Sequence, residues 1–194
     1  MTFPEIQKLL EARNFAAILT YCQDIELKKP SNETLIPLYG VYLITYLIVD
    51  GQNTNARFLW KRIPSDLKQK DSLKAIYNIV KNMTDYQDFY KSLGQQFPAE
   101  YIPFIAALKE SYQLRTFELI SNSYSSITIE STCSYLGISA DEASQYLLAR
   151  GWTLDKQSNT LIPTPVKKPG AKLPTGYSQL ESLTNSVLFL EKAL

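Results

Sequence analysis

The chain has 194 residues, 45% of them hydrophobic, with 20 basic and 19 acidic side chains, no histidine and a net charge of +1. That length and apolar content suit one large domain, or a helical array fused to a small domain, around a real core. The charge balance gives no field to draw in nucleic acid or an anionic membrane, and a chain without histidine lacks the usual neutral-pH base and every His-based metal site.

Two cysteines, Cys22 and Cys133, fall in apolar-periodic segments and read as free, buried thiols. They make neither a disulfide framework nor a zinc spacing, and the expected setting is reducing. The opening residues Met1–Glu5 lack the basic-then-apolar layout of a secretion signal. The two glycosylation sequons, at Asn32 and Asn82, are therefore read as chance matches.

Residues 3–126 are helical in pattern. Pro4 opens a helix whose face carries Ile6, Leu9 and Leu10. Asn14 caps the next, with Phe15, Ile18, Leu19 and Cys22, which stops before Pro30. Thr34 starts an apolar helix that Asp50-Gly51 ends. Its uncharged stretch, Leu35 to Val49, is shorter than the ~20 residues of a spanning helix, so it reads as a helix buried within an array. Asn53 or Asn55 then caps a helix with Ala56, Leu59, Trp60 and Ile63, and Pro64 stops it. Further helices are expected over 71–82, 84–93, 98–112 and 114–124. Short connections between them imply antiparallel pairs stacked as a solenoid, and a weak theme at Asn14-Phe15-Ala16 and Asn55–Phe58 hints at a two-helix repeat.

After Tyr124 the texture changes. Ser125–Thr128 favours a short extended segment, Ile129–Leu136 a helix closed by Gly137, and Ser139 with Glu142 forms a capping box for a second helix reaching Arg150. Gly151 closes that helix, and Trp152–Asp155, a polar turn Lys156–Asn159 and Thr160–Ile162 form a hairpin. Strand, helix, turn, helix, hairpin is the winged-helix order. The fold class is therefore mainly α: a helical repeat over 1–124, a winged helix over 125–163 with a lead-in helix from about 114, a proline-rich linker over 164–176 and a C-terminal helix over 177–194. In that last helix Leu180, Leu183, Val187, Leu190 and Leu194 repeat at three- and four-residue steps. A lone helix after a linker cannot bury such a stripe, so it requires a partner.

Catalytic chemistry is poorly supplied. Glu130, Asp141, Glu142 and Asp155 lie at caps and turns, and the seven glycines make no phosphate-binding cluster. No enzymatic activity and no cofactor are expected. DNA reading by the winged helix is opposed by charge, since residues 115–163 hold three basic against five acidic side chains. Arg57, Lys61 and Arg62, interleaved with aromatics, have a pattern found in RNA binders; a solvated helix face, with stems covering apolar neighbours, is the preferred reading. Two docking surfaces remain. One is the sheet edge of the hairpin (Trp152, Thr153, Leu154, Thr160, Leu161, Ile162), where the backbone matters more than any side chain; the other is the C-terminal stripe.

The run Asn55-Ala56-Arg57-Phe58-Leu59-Trp60-Lys61-Arg62-Ile63-Pro64 resembles the signature of the family of eighth, smallest subunits of the COP-nine signalosome. Arg115–Ile127, and Leu136-Gly137-Ile138 through Glu142-Ala143 to Gly151-Trp152, resemble the same family. The resemblance implies a PCI domain, in which helical repeats lead into a winged helix. It also implies that winged helices of neighbouring subunits associate edge to edge and that C-terminal helices gather into one bundle. The resemblance further implies a non-catalytic scaffold in the cytoplasm and nucleus. Another subunit, a metalloisopeptidase, would remove a ubiquitin-like modifier from cullins. A PCI subunit of the proteasome lid or of translation initiation factor three is the alternative, followed by a winged-helix nucleic-acid adaptor.

Overall fold

The computed structural model describes residues 4–28, 30–155, 160–164, 180 and 183–187. Pro4 opens α1 (Pro4–Glu11), and α2 (Phe15–Leu27) starts at Asn14, whose side chain accepts from the Ala17 amide at 3.1 Å. α3 (Asn32–Asp50) is the centre of the helical stack: α2, α4, α6 and α8 all pack on it. Its length and apolar character would also suit a membrane-spanning helix. Here Leu38 through Thr45, with Leu47 and Ile48, are buried against those four neighbours. α3 begins at Asn32, two residues before the expected Thr34, because Ser31 offers its carbonyl to the amides of Thr34 and Leu35.

Gly51 ends α3 in the left-handed conformation, φ +67°, with its amide on the Leu47 carbonyl. α4 (Thr54–Arg62) and α5 (Ser65–Lys68) follow, then α6 (Asp71–Asn82), α7 (Tyr86–Leu93) and α8 (Ile102–Ser123). Asn53 occupies the cap position of α4 but uses its side chain elsewhere, donating to the Val80 carbonyl at 3.1 Å. Asn55 lies inside α4 and donates to Asp50 at 2.7 Å, so it is not the counterpart of the capping Asn14, and that feature of the repeat theme fails. α5 is an addition: the Pro64 carbonyl accepts from Leu67 and Lys68, so the residue that stops one helix starts another.

The two helices expected over 98–112 and 114–124 are one helix of 22 residues. Only Gln113 separates them, and it is no breaker; Tyr112, Thr116, Phe117 and Ile120 continue one buried face across the supposed gap. α3 and α8 approach closely where Gly40 faces Tyr101; a Cβ there would lie 2.5 Å from the ring.

β1 (Ile127–Thr128), α9 (Ile129–Leu136), α10 (Ala140–Leu148), β2 (Thr153–Asp155) and β3 (Thr160–Ile162) form the winged helix, as the order of elements predicts. The antiparallel sheet has the order β1-β3-β2, with Ile127 opposite Leu161 and Leu161 opposite Leu154. The Ser139–Glu142 capping box forms, and its hydrogen bond from the Ser139 amide holds the Glu142 carboxyl below its ordinary range.

Helical stack and winged helix belong to one compact unit, Met1–Thr164, with Pro165–Leu194 as a second. Aromatics join the first unit internally: Tyr86 lies 4.9 Å from the Tyr135 ring, Tyr90 donates to the Tyr135 carbonyl at 3.3 Å, and Gln113 donates to Leu136 at 2.8 Å. Gly137, at φ +62°, leaves room for the Tyr90 ring, which a Cβ would meet at 2.6 Å. The turn Lys156–Asn159, the linker 165–176 and the stripe positions Leu190 and Leu194 lie outside the described residues.

Candidate interaction surfaces

The motif Asn55–Pro64 is first a structural joint. Arg62 forks onto Glu26 of α2, Nε to Oε1 at 3.1 Å and Nη2 to Oε2 at 2.6 Å, while the Tyr39 hydroxyl donates to the same carboxylate at 3.1 Å. Such bidentate, charge-assisted pairs fix geometry as well as adding energy. Trp60 stacks on Tyr77 of α6, with centroids 4.1 Å apart and planes 6° from parallel. Asn55 holds the α3–α4 corner through Asp50, and Pro64 turns α4 into α5. Arg57 and Lys61 stay exposed, as does Phe58 at 62%, with the Lys61 ammonium 5.7 Å from the Phe58 ring.

Arg115 does for α3 what Arg62 does for α4. Its guanidinium donates to the carbonyls of Leu47, Ile48 and Val49 at the C-terminus of α3, where the helix dipole favours a cation. Burial lowers its pKa, with Asp50 and Glu118 acting the other way. Neither Glu26 nor the α3 carbonyls are linked to these arginines by any local spacing. An arginine flanked by apolar helix positions was the one available signal.

In the wing, β1 and β2 are the outer strands and β3 is central. Thr160, Leu161 and Ile162 are thus not an edge; of the six expected residues only Thr153 and Leu154 lie on an outer strand. Trp152 is absorbed by packing, buried and stacked on Phe117 at 5.4 Å, and its indole N–H finds no acceptor among the described residues. Leu161 is fully buried, Leu154 is half-buried, and Ile162 is exposed. Arg150 lies 4.0 Å from the Tyr146 ring centroid and 4.8 Å from that of Phe117, which occupies one of the few cations of the winged helix. Among the described residues no strand lies beyond β2 in this sheet.

In the second unit Leu180 and residues 183–187 are helical, with the Thr184 hydroxyl on the Leu180 carbonyl at 2.8 Å. Leu180, Leu183 and Val187 are all exposed. Among the described residues no three acidic or thiol side chains gather where a metal ion could sit.

A sequence profile of the CSN8/PSMD8/EIF3K family matches residues 33–172, from the start of α3 through the wing. The chain belongs to that family. A COP9 signalosome complex subunit 8 from Dictyostelium discoideum is 48% identical over 196 residues, covering all of both chains. The subunit 8 from Arabidopsis thaliana is 32% identical over 98% of this chain and all of its own. That from Danio rerio is 31% identical over 86% of this chain and 88% of its own. The CSN8/PSMD8/EIF3K match takes in the Asn55–Pro64 joint, Arg115 and the hairpin, while α1, α2 and the helical tail lie beyond it.

Proposed function

We propose that this chain is a non-catalytic scaffold and assembly subunit of a COP9 signalosome. Its similarity, end to end, to a subunit 8 of that complex carries the reading. In this role it supports cullin deneddylation by another subunit and holds no cofactor of its own. The outer strand β2 docks edge to edge with a neighbour's winged helix, and the Leu180–Leu194 stripe enters a bundle with other C-terminal helices. The outermost place of β2 in the sheet and the exposure of Leu180, Leu183 and Val187 support these contacts. The site of action is the cytoplasm and nucleus.

Affinity capture of the tagged chain from its native cells, with mass spectrometry, tests the proposal. Co-purification of the other signalosome subunits is expected. Recovery of proteasome lid or initiation factor three subunits in their place would reject it.

A further inference from the structure

The net charge of +1 hides a marked asymmetry. Residues 54–82, which span α4, α5 and α6, hold seven basic side chains against two acidic ones, so the rest of the chain is net acidic. Among the described residues two of the seven form ion pairs: Arg62 with Glu26, and Lys74 with Asp71 at 3.8 Å. The other five are Arg57, Lys61, Lys68, Lys70 and Lys81.

Ring contacts place most of these cations on one continuous face. The Trp60–Tyr77 stack bridges α4 and α6. The Lys68 ammonium sits 6.0 Å from the Trp60 ring and donates to the Lys61 carbonyl at 3.2 Å, and the Lys81 ammonium sits 5.4 Å from the Tyr77 ring. Lys61 lies beside Phe58, and Arg57 is one turn before Lys61 on the same side of α4. Lys70, Lys74, Tyr77 and Lys81 follow one another along α6 at steps of three or four.

We propose that this face docks an acidic segment of another protein, with a bulky apolar side chain of that segment landing on Phe58. Charge selects the partner: several ammonium groups within reach of one strand of carboxylates act together, although each exposed pair is weak alone and screened by salt. Phe58 supplies the apolar anchor that a purely electrostatic surface lacks. Single-stranded nucleic acid fits less well. Bases need open aromatic faces to stack on, and Trp60 and Tyr77 present their faces to each other and to their own lysines.

The test uses the full chain and fluorescence anisotropy with two probes: a labelled glutamate-rich peptide with one central leucine, and a uridylate RNA of equal formal charge. The peptide is expected to bind more tightly than the RNA, and less tightly as salt rises. Arg57→Glu combined with Lys81→Glu should weaken the peptide by roughly tenfold or more with circular dichroism and thermal midpoint unchanged. Phe58→Ala should weaken it about threefold or more while leaving the salt dependence in place. Should the double reversal unfold, Lys70→Gln with Lys81→Gln replaces it, and a loss of about threefold is expected. Tighter binding of the RNA, no binding of the peptide, or an affinity indifferent to these substitutions overturns the proposal.

Discussion

Arg57 and Arg62 share one short helix and do different things. Arg62 is held by Glu26, itself mostly shielded, and Trp60 beside it is stacked on Tyr77. Truncating Arg62 to alanine should cost about 1 kcal/mol, and truncating the half-buried Trp60 about 3 kcal/mol, as read by urea unfolding. Arg57→Ala should stay within about 0.5 kcal/mol. Gly51→Ala is harsher than a surface helix-end change. It forces a left-handed φ of +67° on alanine and sets a Cβ against the Arg115 guanidinium, so a loss on the order of 3 kcal/mol is expected. Local chemistry was readable at this scale: Asn14, Ser139, Gly51 and Gly137 cap as their residue types require. The partner of Arg62 was not, since Glu26 lies 36 positions away and only the packing of α4 on the rest of the stack brings the two together.

The buried phenols give the chain an alkaline limit. Burial pushes Tyr90, Tyr101 and Tyr112 above the ordinary tyrosine range. Below about pH 10 these groups are neutral whether the chain is folded or not, and they add no pH dependence. Above that value the unfolded chain ionises first, so stability must fall as pH climbs toward the folded pKa values. Urea midpoints taken near pH 9 and near pH 11 should show the drop, and Tyr101→Phe should reduce it. An unchanged midpoint would contradict the burial.

Between elements, the decisive feature is α8, which serves both the helical stack and the winged helix. Trp60 reports on the first and Trp152 on the second. Single-tryptophan variants, Trp60→Phe and Trp152→Phe, should therefore give coincident urea transitions within each protein when fluorescence is compared with circular dichroism. Trp152→Phe forfeits no hydrogen bond, because the indole N–H has no acceptor among the described residues. The elements of the wing were legible from capping and turn residues. Its sheet order was not: the sequence shows a hairpin, but whether the two-residue β1 joins β2 or β3 depends on how α9 is seated under Tyr86 and Tyr90. The break expected at Gln113 failed for a similar reason, since a face interrupted by one polar residue still packs as one helix.

Across the whole molecule, removing residues 177–194 should weaken incorporation into the complex and leave the unfolding of residues 1–164 unchanged. Pull-down yield and thermal midpoint measure the two, and a full yield would count against the stripe as a docking element. The class of fold and the absence of histidine chemistry could be seen in composition and period. The basic band on α4 to α6 could not, because near-neutral totals average over surfaces that only the folded chain separates.

α8 spans 22 residues without a kink-forming proline in its interior, a rod of about 33 Å. It is braced on one side by α3 through Arg115 and Tyr101, and on the other by α9 through Gln113. Gln113 and Arg115 are two positions apart, so a single turn of that rod registers both the seat of α9 and the end of α3. A shift of α9 at that turn therefore bears directly on the C-terminal carbonyls of α3, with one residue of α8 between the two grips.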